Sequence, residues 1–316
     1  MAAHRPIIGM KRAILVLAHG APNALEDVEP FHTDIRRGNK PPPALLEELM
    51  GRYRSIGGAS PLLGMTQRQA NALAARMGGD VVPYVGMRHW TPWIKDTVEQ
   101  MSRDGIDEAV VLVMAPHYSS MSIAKYRALV DDANQALPKP VQMRFINSWH
   151  TEPAFVSSLE KRVQKALEHF STAERESLTV LFTAHSLPEK ILKNGDPYPE
   201  QLLETSRLVA KAAGIENWRF AFQSAGRTSE PWLGPDILTV LDELASEAKS
   251  TALVCVVGFV ADHLDVLYDI DVEAKLHARG LGIHLERIEM LNDDSVLIQG
   301  LANVAQRAFA SMSSAV

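Results

Sequence analysis

Short runs of branched apolar residues alternate along this chain with longer segments whose apolar positions recur at helical spacing. A parallel sheet covered by helices requires that alternation, because its strands are buried on both faces while each helix buries one stripe. The clearest strands are Ala13–Ala18, Ala109–Met114, Leu178–Thr183 and Ala252–Val257, with Val81–Val85 weaker. Helices are expected at Pro43–Tyr53, Thr66–Arg76, Trp93–Asp104, Glu152–His169, Glu200–Ala213 and Pro235–Ala248. The pattern therefore predicts an α/β protein with a doubly wound sheet.

The chain also echoes itself. ILVLAHGAP and VLFTAHSLP both read apolar run, Ala, His, two small or apolar residues, Pro; VLVMAPHYS and VCVVGFVADH both run from a buried strand into a loop carrying His117 or His263. Two halves of similar build, 1–150 and 151–316, are expected from this spacing. In open α/β sheets ligands bind beyond the carboxyl ends of the strands, and four such ends here supply histidines.

Composition narrows the partners. No apolar run reaches the ~20 residues of a membrane span and the first residues lack a signal-peptide core, so a cytoplasmic protein is expected. The single cysteine, Cys255, lies in an apolar strand and holds no iron–sulfur cluster. With a net charge of −6 and no basic stripe, nucleic acid is not the expected partner; a small molecule is. No interface stripe is evident, so a monomer is expected.

Three features carry candidate chemistry. His185 follows an apolar strand directly and precedes Ser186 and Pro188, which places its ring at a strand-to-loop turn. That position suits a catalytic or ligand histidine, and equally a structural one. In DHLDVLYDIDVEAK, Asp265, Asp269 and Glu273 recur at four-residue steps, forming an acidic stripe if the segment is an α-helix. A solvated helix face would show the same stripe; its start at a buried strand end points the first carboxylate into the cleft and leads the later ones outward. Imidazole with carboxylate suits divalent iron, zinc, nickel or cobalt. The segment RRGNKPPPALLEELMGRYRSIGGASPLL adds Arg36, Arg37, Arg52 and Arg54 around a diglycine turn and Ser60. Arginine forks pair bidentately with carboxylates, although turn geometry alone explains the glycines. Met87, His89, Trp90, Trp93, Tyr118, Met121, Tyr126, Trp149 and Trp232 could line an apolar slot, or serve as core.

RYRSIGGASPLL, APHYS, FTAHSLPEK, DPYP, FQSAGRTSEPWLGPD and GFVADHLDVLYDIDVE, in this order, resemble the ferrochelatases over most of the chain. They are most similar to the coproporphyrin ferrochelatases of Gram-positive-type bacteria. The resemblance implies two Rossmann-like lobes, each a parallel sheet flanked by helices, with a porphyrin cleft between them. It implies insertion of ferrous iron, as substrate, into coproporphyrin III in haem biosynthesis, with a haem-pathway enzyme as downstream partner. Carried over by position, His185 is the catalytic histidine and metal ligand, and Asp265 its partner carboxylate. Asp269 and Glu273 match outer positions for a second divalent cation near Arg52. Arg36, Arg52, Tyr53, Ser60 and Tyr126 match the contacts to substrate propionates.

Two positions depart from the family pattern. His19 stands where a tyrosine ligates iron from the opposite face, and imidazole is itself an iron ligand. Asp265 replaces glutamate, shortening the reach by ~1.5 Å. The same residues leave open a protoporphyrin IX ferrochelatase, a cobalt or nickel chelatase of a sirohydrochlorin-like tetrapyrrole, and a haem carrier without turnover.

Overall fold

The computed structural model describes residues 10–313, residue 227 excepted. Its first half runs β1 (Arg12–Ala18), α1 (Val28–Ile35), α2 (Pro43–Ser55), α3 (Leu62–Met77), β2 (Val81–Met87), α4 (Ile94–Arg103), β3 (Glu108–Val113), α5 (Ile123–Gln135) and β4 (Gln142–Ile146). Its second half runs α6 (Pro153–Leu167), α7 (Thr172–Ser177), β5 (Thr179–His185), α8 (Tyr198–Ala213), β6 (Trp218–Gln223), α9 (Ile237–Ser246), β7 (Thr251–Val256), α10 (Leu264–Leu267), a π-helix (Asp269–Ala274), α11 (Lys275–Gly280), β8 (His284–Arg287) and α12 (Ser295–Ser313). Among the described residues no helix is long and apolar enough to cross a membrane.

The strands form two four-stranded parallel sheets, ordered β2-β1-β3-β4 and β6-β5-β7-β8. These are the two Rossmann-like lobes, and their shared strand order is the structural form of the internal echo. The four clearest strands of the sequence are the four central ones, β1, β3, β5 and β7, each flanked on both sides and almost wholly buried. β2 extends the weaker expectation to Met87. β4, β6 and β8 lie at sheet edges, with polar residues among their apolar ones, so no apolar run marks them.

Helix starts differ from expectation where a polar group caps earlier or later than periodicity shows. α3 begins at Leu62, not Thr66, because the Ser60 hydroxyl accepts the Leu62 N–H at 3.3 Å. α8 begins at Tyr198, whose N–H is taken by Asp196 at 3.1 Å. α9 starts at Ile237, after Asp236 accepts the Leu238 N–H at 2.9 Å.

One core joins the lobes. Ile14, Val16 and Leu112 of the first sheet share it with Phe182 and Leu253 of the second, through Phe155 and Leu159 of α6 and Leu297 and Leu301 of α12. Although α12 follows the second sheet in sequence, it packs on α3, β3 and β4 as well as on α6. The α6–α12 crossing is close at Gly300, where an added Cβ would lie 2.2 Å from the Ala154 Cβ. Gly300→Ala is therefore expected to lower stability by about 1–3 kcal/mol, and Ala154→Gly in the same chain to recover part of that loss. Denaturant melts of both variants check this.

Candidate active site

His185 ends β5, at the point where the sheet order departs to β6 on one side and β7 on the other. Chains leaving β5 and β7 diverge there and open the crevice typical of such sheets. The Nδ1–H of His185 donates to the Ser186 carbonyl, which leaves Nε2 as the basic nitrogen. Its backbone carbonyl accepts the Tyr198 hydroxyl at 2.9 Å. Nε2 faces Asp265 Oδ2 at 3.9 Å, with the Trp232 and Phe259 rings each 6.4 Å from the imidazole. Gly258 is needed in the loop after β7, since a Cβ there would sit 2.4 Å from that of Ala184.

Asp265 lies in α10, directly after that loop, with its backbone carbonyl held by the buried Gln223 Nε2 at 2.6 Å. His263 approaches the same Oδ2 at 3.7 Å, its Nδ1–H given to the Ala261 carbonyl at 2.9 Å. One carboxylate thus stands between two imidazoles whose other nitrogens are fixed by backbone carbonyls. Below it the helix widens. The Glu273 N–H bonds the Tyr268 carbonyl at 2.9 Å, five residues back, so the acidic stripe runs on a π-helix and not on the expected α-helix. Val266, Ile270 and Ala274 fill the lobe's core one position after Asp265, Asp269 and Glu273, which keeps the acids beside the buried stripe. The stripe does not lead steadily outward, because Asp269 is 8% exposed against 29% for Asp265 and 42% for Glu273.

Arg52 of α2 reaches across from the first lobe. Its guanidinium lies 3.4 Å from Asp269, 3.1 Å from Glu48 and 4.0 Å from Glu273, and over the Tyr268 ring at 4.8 Å. Ser224, in the left-handed region at φ 60°, donates its hydroxyl to Asp269. Tyr53 is buried beside this pair, whereas Arg36 is exposed at the end of α1 and makes no ion pair among the described residues. Ser60 is buried, its hydroxyl committed to the start of α3. Among the described residues no three His, Cys, Asp or Glu side chains form a group able to hold a metal ion.

His19, beyond β1, packs against His89 at 4.7 Å and Phe31 at 6.0 Å between ring centroids. His89 in turn pairs with Asp34 at 2.7 Å. Tyr126 is buried, with the Arg88 guanidinium 5.6 Å from its ring centre. The structure thus gathers His185, Asp265, Asp269, Glu273, Arg52 and Tyr53, and sets His19, His89, Arg88 and Tyr126 as a neighbouring group. It removes others from the slot: Trp149 is core, its indole N–H on the Val113 carbonyl at 3.1 Å, and Met87 is buried. Nor do all four strand-end histidines converge, because His117 turns into the lobe interface and bonds Thr205 of α8 at 2.9 Å. Sequence spacing missed His32 of α1 and the half-buried Arg88, neither of which ends an apolar run, and singled out neither Gln223 nor Ser224, although both lie in the motif FQSAGRTSEPWLGPD.

Burial governs the protonation of this cluster. It lowers His19 to about 3, with His89 adding to the effect, and lowers His32 to about 4. For Asp265 burial opposes ionisation, but His263, with His185 and His19 behind it, outweighs that and holds the carboxyl below its usual range. For His263 burial likewise favours the neutral form, and Asp265 overcomes it, raising the imidazole. Asp269 is pushed up to about 7, first by burial and then by the charge of Asp265.

The fold of two parallel sheets flanked by helices is shared with chelatases of known structure. SirB from Bacillus subtilis with Fe3+ superposes with a TM-score of 0.60 at 13% identity, over 96% of this chain and 98% of that one. The sirohydrochlorin chelatase SirB from Bacillus subtilis subspecies spizizenii, in complex with cobalt, gives 0.56 at 10% identity, over 95% of each chain. The ferrochelatase family model matches residues 11–309. A ferrochelatase of Herpetosiphon aurantiacus is 43% identical over 298 residues, covering 93% of this chain and 98% of its own. The coproporphyrin III ferrochelatase of Geobacillus sp. strain WCH70 is 43% identical over 300 residues, covering 93% and 96%. The chain belongs to the ferrochelatase family, whose enzymes insert ferrous iron into a porphyrin in haem biosynthesis.

The proton held at Asp269 links stability to pH. The folded state binds a proton there that the unfolded state releases near pH 4, so this contribution is present below about 4 and lost as pH rises through about 7. Asp269→Asn, neutral at every pH, is expected to gain stability relative to wild type between pH 5 and 8. Melting temperatures across that range check it, and adding Asp265→Asn should move the midpoint to lower pH.

Proposed function

We propose that this chain is a coproporphyrin III ferrochelatase, with His185 as proton acceptor and Asp265 as the carboxylate that delivers iron. The observation that carries the reading is the His185–Asp265 pair at 3.9 Å, with the basic Nε2 turned into the crevice. As one ferrous ion enters the macrocycle, two pyrrole N–H protons must leave. His185 Nε2 accepts them in turn and passes them to solvent through its exposed edge. Asp265, ionised and flanked by imidazoles, replaces water around the incoming cation and releases it to the porphyrin nitrogens. The opposed walls of the cleft bend the ring so that the nitrogen lone pairs face the metal.

The choice of a tetracarboxylate porphyrin is supported by cations on the first lobe. Arg36 and Arg88 make no ion pair among the described residues, and Arg52 lies beyond them. Guanidinium groups without carboxylate partners are suited to substrate propionates. On this reading Tyr53, Ser60 and Tyr126, all buried, stand behind the propionate contacts, and His19 would offer an imidazole to the opposite face of the ring. Relatives from Geobacillus and Halalkalibacterium halodurans carry the name coproporphyrin III ferrochelatase, at 43% and 42% identity. Glu48, Asp269 and Glu273 surround the single Arg52, and a second divalent cation at this outer end would have to displace that guanidinium and the proton on Asp269.

Anaerobic insertion of ferrous iron into coproporphyrin III and, separately, protoporphyrin IX tests the reading. Faster turnover on coproporphyrin III is expected. His185→Ala should lower kcat about 100-fold or more, the usual share of a positioned proton acceptor. Porphyrin binding without insertion by the wild type would make the protein a carrier. Preference for cobalt or nickel with a sirohydrochlorin would make it a chelatase of that class.

A further inference from the structure

His32 is absent from the roles assigned above, yet it stands among the residues of the carboxylate-binding wall. It occupies the last turn of α1, one helical turn before Arg36 and therefore on the same face. Phe31 beside it is buried and fixes the helix against the lobe. Its ring meets the Tyr53 ring edge-on at 6.4 Å, and Arg36, Arg52 and Asp265 lie close enough to act on it electrostatically. Its Nε2 is buried and has no hydrogen-bond partner among the described residues.

Nearly all buried polar nitrogens in folded proteins are paired, so one left open in a binding wall marks a place for a ligand atom. Two chemistries compete for that nitrogen. The guanidinium groups of Arg36 and Arg52 attract an anion and repel a divalent cation; Asp265 acts in the opposite sense, one negative charge against two positive ones, and that carboxylate is already flanked by His263 and His185. Burial, aided by these two cations, outweighs the opposing charge of Asp265 and keeps the imidazole neutral, so it carries one N–H to give and adds no charge.

We propose that His32 donates from Nε2 to a carboxylate of the porphyrin substrate, between Arg36 and Arg52, and so contributes to selection by carboxylate number. This rests on the porphyrin reading given above. The donor supplies direction where the two arginines supply charge: a carboxylate displaced from its line loses the bond but keeps most of the attraction.

The test is binding of coproporphyrin III and of its tetramethyl ester, followed by tryptophan quenching, for wild type, His32→Leu and His32→Gln. His32→Leu is expected to weaken coproporphyrin III about ten-fold, the worth of one hydrogen bond to a charged group, and to leave the ester unchanged. His32→Gln, which keeps an N–H donor of similar reach, should recover most of the affinity. In turnover the loss should appear in KM. Equal weakening of acid and ester, no weakening, or a fall in kcat at unchanged affinity would each overturn the proposal. Because binding is read without metal, a wild type that binds porphyrin and inserts no iron would end the ferrochelatase reading while still deciding the role of His32.

Discussion

A carboxylate in a partly closed crevice stays ionised only if its surroundings offset the hydration it gives up. At Asp265 that offset comes from His263 at 3.7 Å and His185 at 3.9 Å, each with its other nitrogen tied to a backbone carbonyl. The tautomers are set by the chain itself, so both Nε2 atoms can face the acid. Much of the surrounding architecture serves this arrangement: Gln223 holds the Asp265 backbone, Tyr198 holds that of His185, and Gly258 lets one loop pass close over the end of β5. The charge kept at Asp265 then acts on its neighbours, raising His263 and Asp269 together.

Two sheets of one topology do not make two equal sites. β1 and β5 each present a histidine at the same structural point, but β3 and β7 diverge. The loop after β7 brings His263 and Asp265 into the crevice, while the one after β3 sends His117 into the packing between lobes, against Thr205. The second lobe carries the His185, His263 and Asp265 cluster; the first brings Arg52, Arg88 and the His19–His89 pair toward it. Arg52 ties these together by pairing with the acids of the π-helix across the lobe boundary.

What could be read from the sequence follows from how each feature is encoded. The central strands are buried on both faces, so little polar interrupts them, Thr183 of β5 excepted, and their ends locate His19, His185 and the approach to Asp265. Edge strands such as His284–Arg287 are short and half-exposed, and leave no comparable trace. Helix starts depended on caps, as Asp196 and Asp236 show. The four-residue spacing of Asp265, Asp269 and Glu273 is compatible with more than one helix type, and only the backbone bond from Glu273 to Tyr268 distinguishes them. His32 sits within an ordinary amphipathic helix; its place beside Tyr53 and Arg52 arises from tertiary packing, which no local pattern records.

The path of α12 bears on how the protein is made. Residues 295–313 complete the cover of a sheet whose strands are all synthesised before residue 147. During synthesis Ile14, Val16 and Leu112 therefore stay incompletely covered until residues 295–313 have left the ribosome. The cover of the first sheet thus couples its completion to the emergence of a helix about 150 residues further on.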